Sequence, residues 1–223
     1  MRLYHGSSEI VDCPEYGKGK LYNDYGRGFY CTDDIDLARE WAVDANRDGF
    51  VNCYELDDHG LEIINLNSDE YCVLHWITIL LQNRRFELDT PLSREAYRFL
   101  CKNYSIDVSR ADVIKGYRAD DSYFSYAQDF VSGQISVVQL AKAMKPGDLG
   151  EQTMIRSQKA FDHIKYSGCE GVAASVWYAR KMSRDRSARE AYHKMNRTDY
   201  RKGELYIVHI IEEEVTPDDP RLR

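Results

Sequence analysis

Two short N-terminal motifs combine residue types that could bind a sugar joined to a planar ring. The first contains His5, Gly6 and Ser7, and the second, roughly twenty residues later, contains Gly28 and Tyr30. A neutral imidazole accepts a hydrogen bond from a sugar hydroxyl, and a glycine lets a planar amide approach bare backbone. The tyrosine ring offers a flat stacking surface. Either motif alone is weak, because histidines beside glycine are common at turns and Gly-x-Gly lacks the third glycine of a dinucleotide fingerprint.

Short strands and one helix are expected to position these motifs. Residues 2–5 and 28–31 have strand character, and a polar loop rich in glycine and tyrosine separates them. From Asp34 onward, apolar residues recur at helical spacing, with an aspartate at the start to cap the helix. The pattern through Ala38 and Trp41 therefore predicts a helix directly after the second motif.

The rest of the chain alternates between strand and helix patterns. Strands are predicted at residues 51–56, 61–66, 112–117 and 152–156. Helices are predicted to begin near Ser68 and Ser93, and to cover 123–130, 137–144, 157–164 and a polar stretch at roughly 170–197. The unbroken apolar run from Leu205 to Ile211 predicts a final strand that is covered on both faces. A domain boundary is predicted near residues 166–168, between a domain at 1–165 and an extension at 166–223.

Composition restricts the class of protein. The chain has 223 residues, 43% of them hydrophobic, which is enough for a substantial core, and its net charge of −7 argues against a surface that is basic throughout. Six scattered cysteines without a zinc-type spacing favour reduced thiols, a cytoplasmic location and no metal. The best apolar run, about ten residues long, is too short to span a membrane, and the N terminus lacks a signal-peptide pattern.

These motifs resemble those of a known superfamily. The strand through His5, the turn before Tyr30 and the helix through Trp41 resemble the ADP-ribosyltransferases of the diphtheria-toxin and poly(ADP-ribose) polymerase type. More closely, residues 1 to about 165 are similar to a bacterial family of unknown function with that fold, through its Gly-Tyr-Arg-Ala-Asp-Asp segment and its late strand beginning with Gln. The resemblance implies an α+β fold with a split β-sheet core, flanking helices and a helical C-terminal extension that packs on the same domain.

The resemblance also implies that NAD is bound as a substrate. It assigns His5 to the adenosine-side ribose, the Gly6 backbone to the nicotinamide carboxamide and Tyr30 to stacking on the nicotinamide ring. Trp41 stands where the superfamily usually has the aromatic residue of the opposite wall, while Ala38 replaces a serine that commonly bonds the carboxamide. The NAD-binding set is then His5, Gly6, Ser7, Gly28, Tyr30 and Trp41.

Three positions remain open for the third catalytic motif, which in the superfamily is commonly a glutamate that bonds the ribose. Gln152 begins its predicted strand and Glu151 stands beside it. Because strand side chains alternate between faces, only one of the two can enter the pocket, and the resemblance favours Gln152. Glu204, which opens the predicted final strand, is the third candidate.

Adjacent carboxylates at Asp120 and Asp121 lie between a predicted strand and a predicted helix. This arrangement is typical of a helix N-cap. The alternative is that one of them replaces the missing glutamate, either as a general base for the acceptor or as an anion that stabilises a developing cation. Both interpretations stay open.

The function hypothesis is a mono-ADP-ribosyltransferase that cleaves NAD and transfers ADP-ribose to a protein or nucleic-acid acceptor. Breaking the bond between nicotinamide and ribose develops oxocarbenium character, so negative or dipolar groups are needed near the sugar. By fold-level analogy, such small transferases are often toxins with an antitoxin protein as partner. The alternatives are an NAD glycohydrolase, a silent NAD or ADP-ribose binding module, and an RNA-modifying enzyme. The last is motivated by residues 180–202, where Arg and Lys outnumber acids nine to three.

Overall fold

A computed structural model describes residues 1–119, 121–144, 150–194 and 200–222 of the chain. Within these ranges the strands are β1 (Arg2–Ser7), β2 (Phe29–Cys31), β3 (Gly49–Leu56), β4 (Ile63–Asn65), β5 (Val113–Tyr117), β6 (Glu151–Ile155) and β7 (Ile164–Val172). The helices are α1 (Ile35–Ala42), α2 (Val73–Asn83), α3 (Pro91–Asn103), α4 (Asp121–Val131), α5 (Val137–Met144), α6 (Gln158–Asp162), α7 (Ala174–Lys194) and α8 (Ile207–Glu212). The predicted α+β fold class is confirmed.

The first sheet holds the strand that carries His5. Its order is β1-β3-β7, with antiparallel neighbours throughout. The central strand β3 buries Val51, Asn52 and Tyr54, so both of its faces are covered. In the β1–β3 register His5 lies opposite Asn52 and Gly6 opposite Val51, which places the first motif at the end of the sheet beside α1.

The second sheet carries Tyr30 and Gln152. Its order is β2-β6-β5-β4, in which β4 runs parallel to β5 and the other neighbours are antiparallel. Among the described residues, one isolated backbone bridge pairs β1 with the end of β2, where Tyr4 and Thr32 exchange hydrogen bonds of 2.8 and 2.9 Å. The ladder does not continue from this bridge, and a cavity lined by residues of both sheets lies beside it.

The main hydrophobic core lies on one face of the second sheet. Helices α2, α3, α4, α5 and α8 contribute to it, and α2 buries almost its whole surface, as the apolar run in its sequence predicts. Trp76 and Leu80 of α2 pack with Phe130 of α4 and with Ile114 of β5. Helix α2 begins at Val73, later than predicted, because a turn stabilised by a bond from Tyr71 N to Ser68 O precedes it.

Two C-terminal elements differ from the sequence prediction. The predicted strand from Leu205 to Ile211 is wrong, because Ile207–Glu212 forms α8. Ile207 and Ile210 lie one helical turn apart and both are fully buried in the main core, so tertiary packing overrides the strand preference of this β-branched run. Strand β7, which was not predicted, crosses the expected break after residue 165 and pairs with β3. The division into 1–165 and 166–223 stays a prediction.

Three further observations concern the environment of the protein. All six cysteines are free thiols. No helix in the described ranges is both long and apolar enough to cross a membrane. Among the described residues, no group of three or more His, Cys, Asp or Glu side chains is arranged to hold a metal ion. The cytoplasmic location and the independence from metal stay predictions.

Candidate active site

One cavity of about 840 Å³ brings together residues that the sequence analysis selected from distant positions. It opens between β1, β2, α1, β6 and the loop that joins β1 to β2. Five of the ten site residues predicted from the sequence line it, namely His5, Gly28, Tyr30, Trp41 and Gln152. A volume of this order is typical of small-molecule and cofactor sites.

His5 is held in one tautomer at the wall of this cavity. Its Nδ1 lies 2.7 Å from the carbonyl oxygen of Tyr30, and because a carbonyl can only accept, Nδ1 carries the proton. The ring also contacts Phe29, with a centroid distance of 4.5 Å. Burial lowers the pKa of His5, which favours the neutral imidazole. Nε2 is therefore a hydrogen-bond acceptor, as binding of a ribose hydroxyl requires.

Gly6 presents its backbone groups to the gap between the sheets. In an antiparallel strand, successive residues direct their N–H and C=O groups to opposite edges, so Gly6 and Tyr4 share one edge. Tyr4 uses that edge to bind Thr32 of the other sheet. A side chain at residue 6 is impossible without movement of α1, since a Cβ atom would lie 2.0 Å from Ala38 O. The glycine is needed for helix packing as well as for an open backbone.

Tyr30 contributes a ring that its surroundings hold in place. Its hydroxyl donates to Gly26 O at 2.7 Å and accepts from Tyr25 N at 3.0 Å. One face of the ring stacks on Tyr25, with a centroid distance of 6.5 Å and an interplanar angle of 22°. Burial raises the pKa of Tyr30, so the phenol stays protonated and serves as a fixed aromatic wall, not as a base.

Trp41 lines the cavity but already has a partner on its ring. The guanidinium carbon of Arg118 lies 5.1 Å from the indole centroid, which is within cation–π range. Its indole Nε1 is buried and has no hydrogen-bond partner among the described residues. If Trp41 is to form the second wall for a nicotinamide ring, Arg118 must leave that face of the indole or the ligand must use the other one.

Gln152 enters the cavity from the start of β6 with its amide held in one orientation. It is buried, and its Nε2 donates to Asp24 Oδ2 at 2.7 Å and to Tyr117 O at 3.3 Å. Both partners are acceptors, so a flipped amide would set oxygen against oxygen. Oε1 is thus the atom left to accept a bond from a ligand. Opposite Gln152 in β5, Gly116 leaves room for the Tyr25 hydroxyl, which an added Cβ would meet at 2.4 Å.

Asp24 is the residue of this site that the sequence analysis missed. It lines the cavity with 5% of its surface exposed, and three donors converge on it. Arg84 Nη1 binds Oδ1 at 2.8 Å, while Ala119 N at 2.9 Å and Gln152 Nε2 bind Oδ2. Burial raises the pKa of Asp24, whereas the hydrogen bonds from Ala119 and Gln152 and the positive charge of Arg84 oppose this rise. Three donors and no acceptor fit the ionised carboxylate.

No periodic signal in the sequence identifies Asp24. It lies in a loop rich in polar residues and glycine, where an aspartate normally caps a turn. Its partner Arg84 is sixty residues away and directly follows α2, so the pair exists only in the folded protein. The single available clue was its position shortly before Tyr30.

Other predicted residues lie outside the cavity lining. Ser7 donates to Glu9 O and accepts from Asn52 Nδ2 at 3.0 Å, which fixes the start of the β1–β2 loop. Glu151 is exposed on the opposite face of β6 from Gln152 and accepts from Asn67 at 2.7 Å. Gly6 lies beside the cavity at the edge of β1.

Glu204 and the predicted aspartate pair have different positions from those expected. Glu204 precedes α8 instead of opening a strand, and it bonds the Ser136 hydroxyl away from the cavity. Its other carboxylate oxygen lies 3.6 Å from Arg201. Asp121 is the first residue of α4, but its side chain lies outside the described residues, so both interpretations of the aspartate pair stay predictions. Asp120 also lies outside the described residues.

The basic segment at 180–202 coincides in part with α7. Arg184 of this helix pairs with Glu40 of α1 at 2.6 Å, and Lys181 donates to Val43 O at 3.1 Å. None of the described residues of α7 lines the cavity. These two basic side chains therefore bind α7 to α1 and to the residue that follows it.

The fold and the cavity define an α+β protein with a cavity lined by residues of both sheets. The chain belongs to a protein family of unknown function, DUF3990, whose family model matches residues 1–166. This match confirms the predicted similarity to a family of unknown function, whereas the relationship to ADP-ribosyltransferases stays a prediction. Neither a curated protein nor a solved structure matches the chain.

Proposed function

We propose that this protein is a mono-ADP-ribosyltransferase that cleaves NAD and transfers ADP-ribose to a macromolecular acceptor. The observation that carries the proposal is the meeting of His5, Tyr30 and Gln152 in one cavity, although they come from three strands of two sheets. They offer a hydroxyl acceptor, a stacking ring and a hydrogen-bonding group on a late strand. These are the three functions that the resembled superfamily requires at those positions.

In this proposal NAD spans the gap between the sheets. His5 Nε2 accepts from a hydroxyl of the adenosine-side ribose, and the open backbone edge at Gly6 bonds the nicotinamide carboxamide. The nicotinamide ring stacks on the face of Tyr30 that Tyr25 does not cover. Because hydrogen bonds fix both His5 and Tyr30 before the substrate arrives, little conformational entropy is lost on binding.

The chemical step is a group transfer at the nicotinamide ribose. The bond between C1′ and the nicotinamide nitrogen breaks, its electron pair stays with nicotinamide, and C1′ gains oxocarbenium character. A nucleophilic atom of the acceptor then forms a bond to C1′ and gives up its proton to solvent. NAD and the acceptor thus yield nicotinamide, ADP-ribosylated acceptor and one proton.

Asp24 and Gln152 together take the part that a glutamate commonly plays. Gln152 Oε1 accepts a hydrogen bond from the ribose hydroxyl, while Gln152 Nε2, on the other side of the amide, donates one to the Asp24 carboxylate. A hydrogen bond from Nε2 to an anion polarises the amide and makes Oε1 a stronger acceptor. The negative charge that stabilises the developing cation is thereby supplied through a neutral side chain.

The proposal is tested by incubating the purified protein with NAD labelled in its adenosine part, together with cell lysate. Released nicotinamide and labelled macromolecules are expected, and both should fall strongly in Gln152→Ala. Glu151→Gln is the matched control, because Glu151 neighbours Gln152 on the same strand but faces away and should leave both readouts intact. Absence of nicotinamide release and of any label would refute the proposal.

The same experiment separates two other candidate functions. An NAD glycohydrolase would release nicotinamide and free ADP-ribose without labelled macromolecules, and the amide at residue 152, in place of a glutamate, favours this candidate. A silent binding module would bind NAD in calorimetry without turnover, and the Arg118 guanidinium over Trp41 favours it. A toxin role with an antitoxin partner stays a prediction.

A further inference from the structure

The loop over the cavity carries an exposed surface that the NAD-binding residues do not explain. Residues 16–22, which we call the rim loop, are exposed at every position. Tyr16 and Tyr22 expose 56% and 57% of their surface, and Leu21 exposes a similar share. Tyrosines are normally half-buried, so two exposed rings within seven residues indicate a contact surface.

The charge of the rim loop is opposite to that of the chain. The protein has a net charge of −7, yet residues 16–23 contain Lys18 and Lys20 and no acid. Arg85, from the segment after α2, places its guanidinium 4.6 Å from the Tyr22 ring centroid. The cation supports one face of the tyrosine, so a second planar group can stack only on the remaining face. Flat rings beside cations are the recurring elements of single-stranded nucleic-acid surfaces.

The rim loop is also continuous with the cavity. Lys18, Gly19 and Lys20 are part of its lining, so a molecule bound on the loop reaches the proposed reaction centre. Of the acids in the same lining, Glu9, Asp12 and Glu15 lie earlier in the β1–β2 loop, and Asp24, which follows the rim loop, is paired with Arg84. Lys18 pairs with Glu15, but such exposed pairs contribute little and exchange readily for a phosphate. An anionic ligand is therefore directed to the lysine side of the loop.

We propose that the rim loop binds the acceptor and that the acceptor is a single-stranded nucleic acid. This inference rests on the proposed function for the transfer itself. Bases stack on Tyr22 and Tyr16, while the phosphates contact Lys18, Lys20 and Arg85. A duplex does not fit, because its bases are already stacked on each other. A nitrogen or hydroxyl of the bound strand attacks C1′ and loses its proton to solvent as nicotinamide leaves.

The alternative basic surface, α7, fits this role less well. Its Arg184 and Lys181 bind residues of the chain itself, and none of its residues is part of the cavity lining as described. Among the α7 side chains that the structure describes, the aromatic rings are Trp177 and Tyr178, and both are half-buried. Arg39 and Arg180 already lie over the Trp177 ring, at 5.2 and 4.5 Å from its centroid. A nucleic-acid strand bound along these residues would lack fully exposed stacking rings and the route to C1′.

Binding is tested first, without NAD. A fluorescein-labelled single strand of about twelve nucleotides, as RNA and as DNA, is titrated with the full chain and followed by anisotropy. Tyr22→Ala should weaken binding by about 5- to 150-fold, the range for loss of one stacked base. Tyr200→Ala is the matched control, because Tyr200 is an exposed tyrosine followed by basic residues far along the chain, and affinity should not change. Replacing Lys18 and Lys20 by Gln should reduce the salt slope of log affinity by about 1.4.

Transfer is tested second, on the same strands. With labelled NAD, the ratio of labelled oligonucleotide to released nicotinamide should fall in Tyr22→Ala and stay constant in Tyr200→Ala. Label found only on protein, or equal binding by wild type and Tyr22→Ala, would overturn the acceptor inference while nicotinamide release still supported the proposed function. Oligonucleotide binding that depends on Tyr22 but occurs without nicotinamide release would support the rim-loop surface and contradict the transferase.

Discussion

Replacement of Asp24 by asparagine tests whether a buried charge assists the proposed reaction. Asparagine keeps the shape and one acceptor oxygen but removes the charge. Asp24 Oδ2 lies 2.7 Å from Gln152 Nε2, and a ribose oxygen bonded to the far side of that amide would lie about 7 Å from the carboxylate. At an effective dielectric constant of about 20, a unit charge at about 7 Å contributes about 2.4 kcal/mol, or about 50-fold in rate. Because Arg84 offsets part of this charge, we expect nicotinamide release to slow by about 10- to 50-fold.

The matched control is Asp112→Asn. Asp112 is buried to the same extent as Asp24 and accepts bonds from the Ser157 hydroxyl and from Glu62 N, but it is not part of the cavity lining. Initial rates of nicotinamide release at saturating NAD and free energies of unfolding in urea are measured for both variants. Asp112→Asn should lose about 1–3 kcal/mol of stability and keep its rate, since a buried donor loses its acceptor. Equal rates for Asp24→Asn and wild type, or equal slowing in both variants, would contradict the catalytic assignment.

The pH dependence of stability gives an independent check on the same carboxylate. Burial raises the pKa of Asp24 in the folded protein above the value of about 3.9 that an unfolded chain has. Between these two values the folded state binds the extra proton, so its stability decreases as the pH rises through the folded pKa. Asp24→Asn should remove this decrease from the curve of unfolding free energy against pH, whereas Asp112→Asn should retain it.

Variants at three further positions, His5, Tyr30 and Gly6, test the front of the cavity. His5→Ala should raise the KM for NAD about 2- to 12-fold, the effect of one hydrogen bond, with a smaller change in kcat. In wild type, stability should fall below about pH 6.5, since burial lowers the pKa of His5 and only the unfolded chain then takes up its proton. Tyr30→Phe should lose about 1–2 kcal/mol of stability but bind NAD, whereas Tyr30→Ala should lose binding because the ring is absent. Gly6→Ala should lose about 3 kcal/mol, as the new Cβ would lie 2.0 Å from Ala38 O. Gly171→Ala, where nothing lies within 4 Å, should change stability by less than about 0.5 kcal/mol in the same urea titration.

Elements defined by local patterns were predictable from the sequence. Helix α1 has an aspartate cap, with Asp34 Oδ1 accepting from Asp36 N and Leu37 N, and its apolar residues recur at helical spacing. Strand β7 was missed because its residues alternate only between half-buried and exposed, and glycines at 168 and 171 weaken its strand pattern. Helix α8 was mistaken for a strand because burial on the main core decides its conformation, and a short apolar run carries no information on its partner.

In the candidate site, too, some residues could be predicted from the sequence and one could not. His5, Tyr30 and Gln152 could be selected because each lies in or beside a strand with a recognisable neighbourhood. The alternation of side chains also separated Gln152 from Glu151, and the two lie on opposite faces of β6. Asp24 could not be found this way, because its importance comes from Arg84, Ala119 and Gln152, which the fold brings together from three distant segments.

Asp24 also connects the two proposals physically. It lies two residues after Tyr22, the last residue of the rim loop, and its carboxylate orients Gln152. A nucleic-acid strand that binds Tyr22 contacts the chain two residues before Asp24. Asp24 is held by three hydrogen bonds, so it cannot move with Tyr22 unless these bonds break. The rim loop can therefore adapt to different nucleotides while the Asp24–Gln152 pair keeps its geometry. If this separation is correct, Tyr22→Ala lowers acceptor affinity, whereas Asp24→Asn lowers the rate of nicotinamide release even when no acceptor is present.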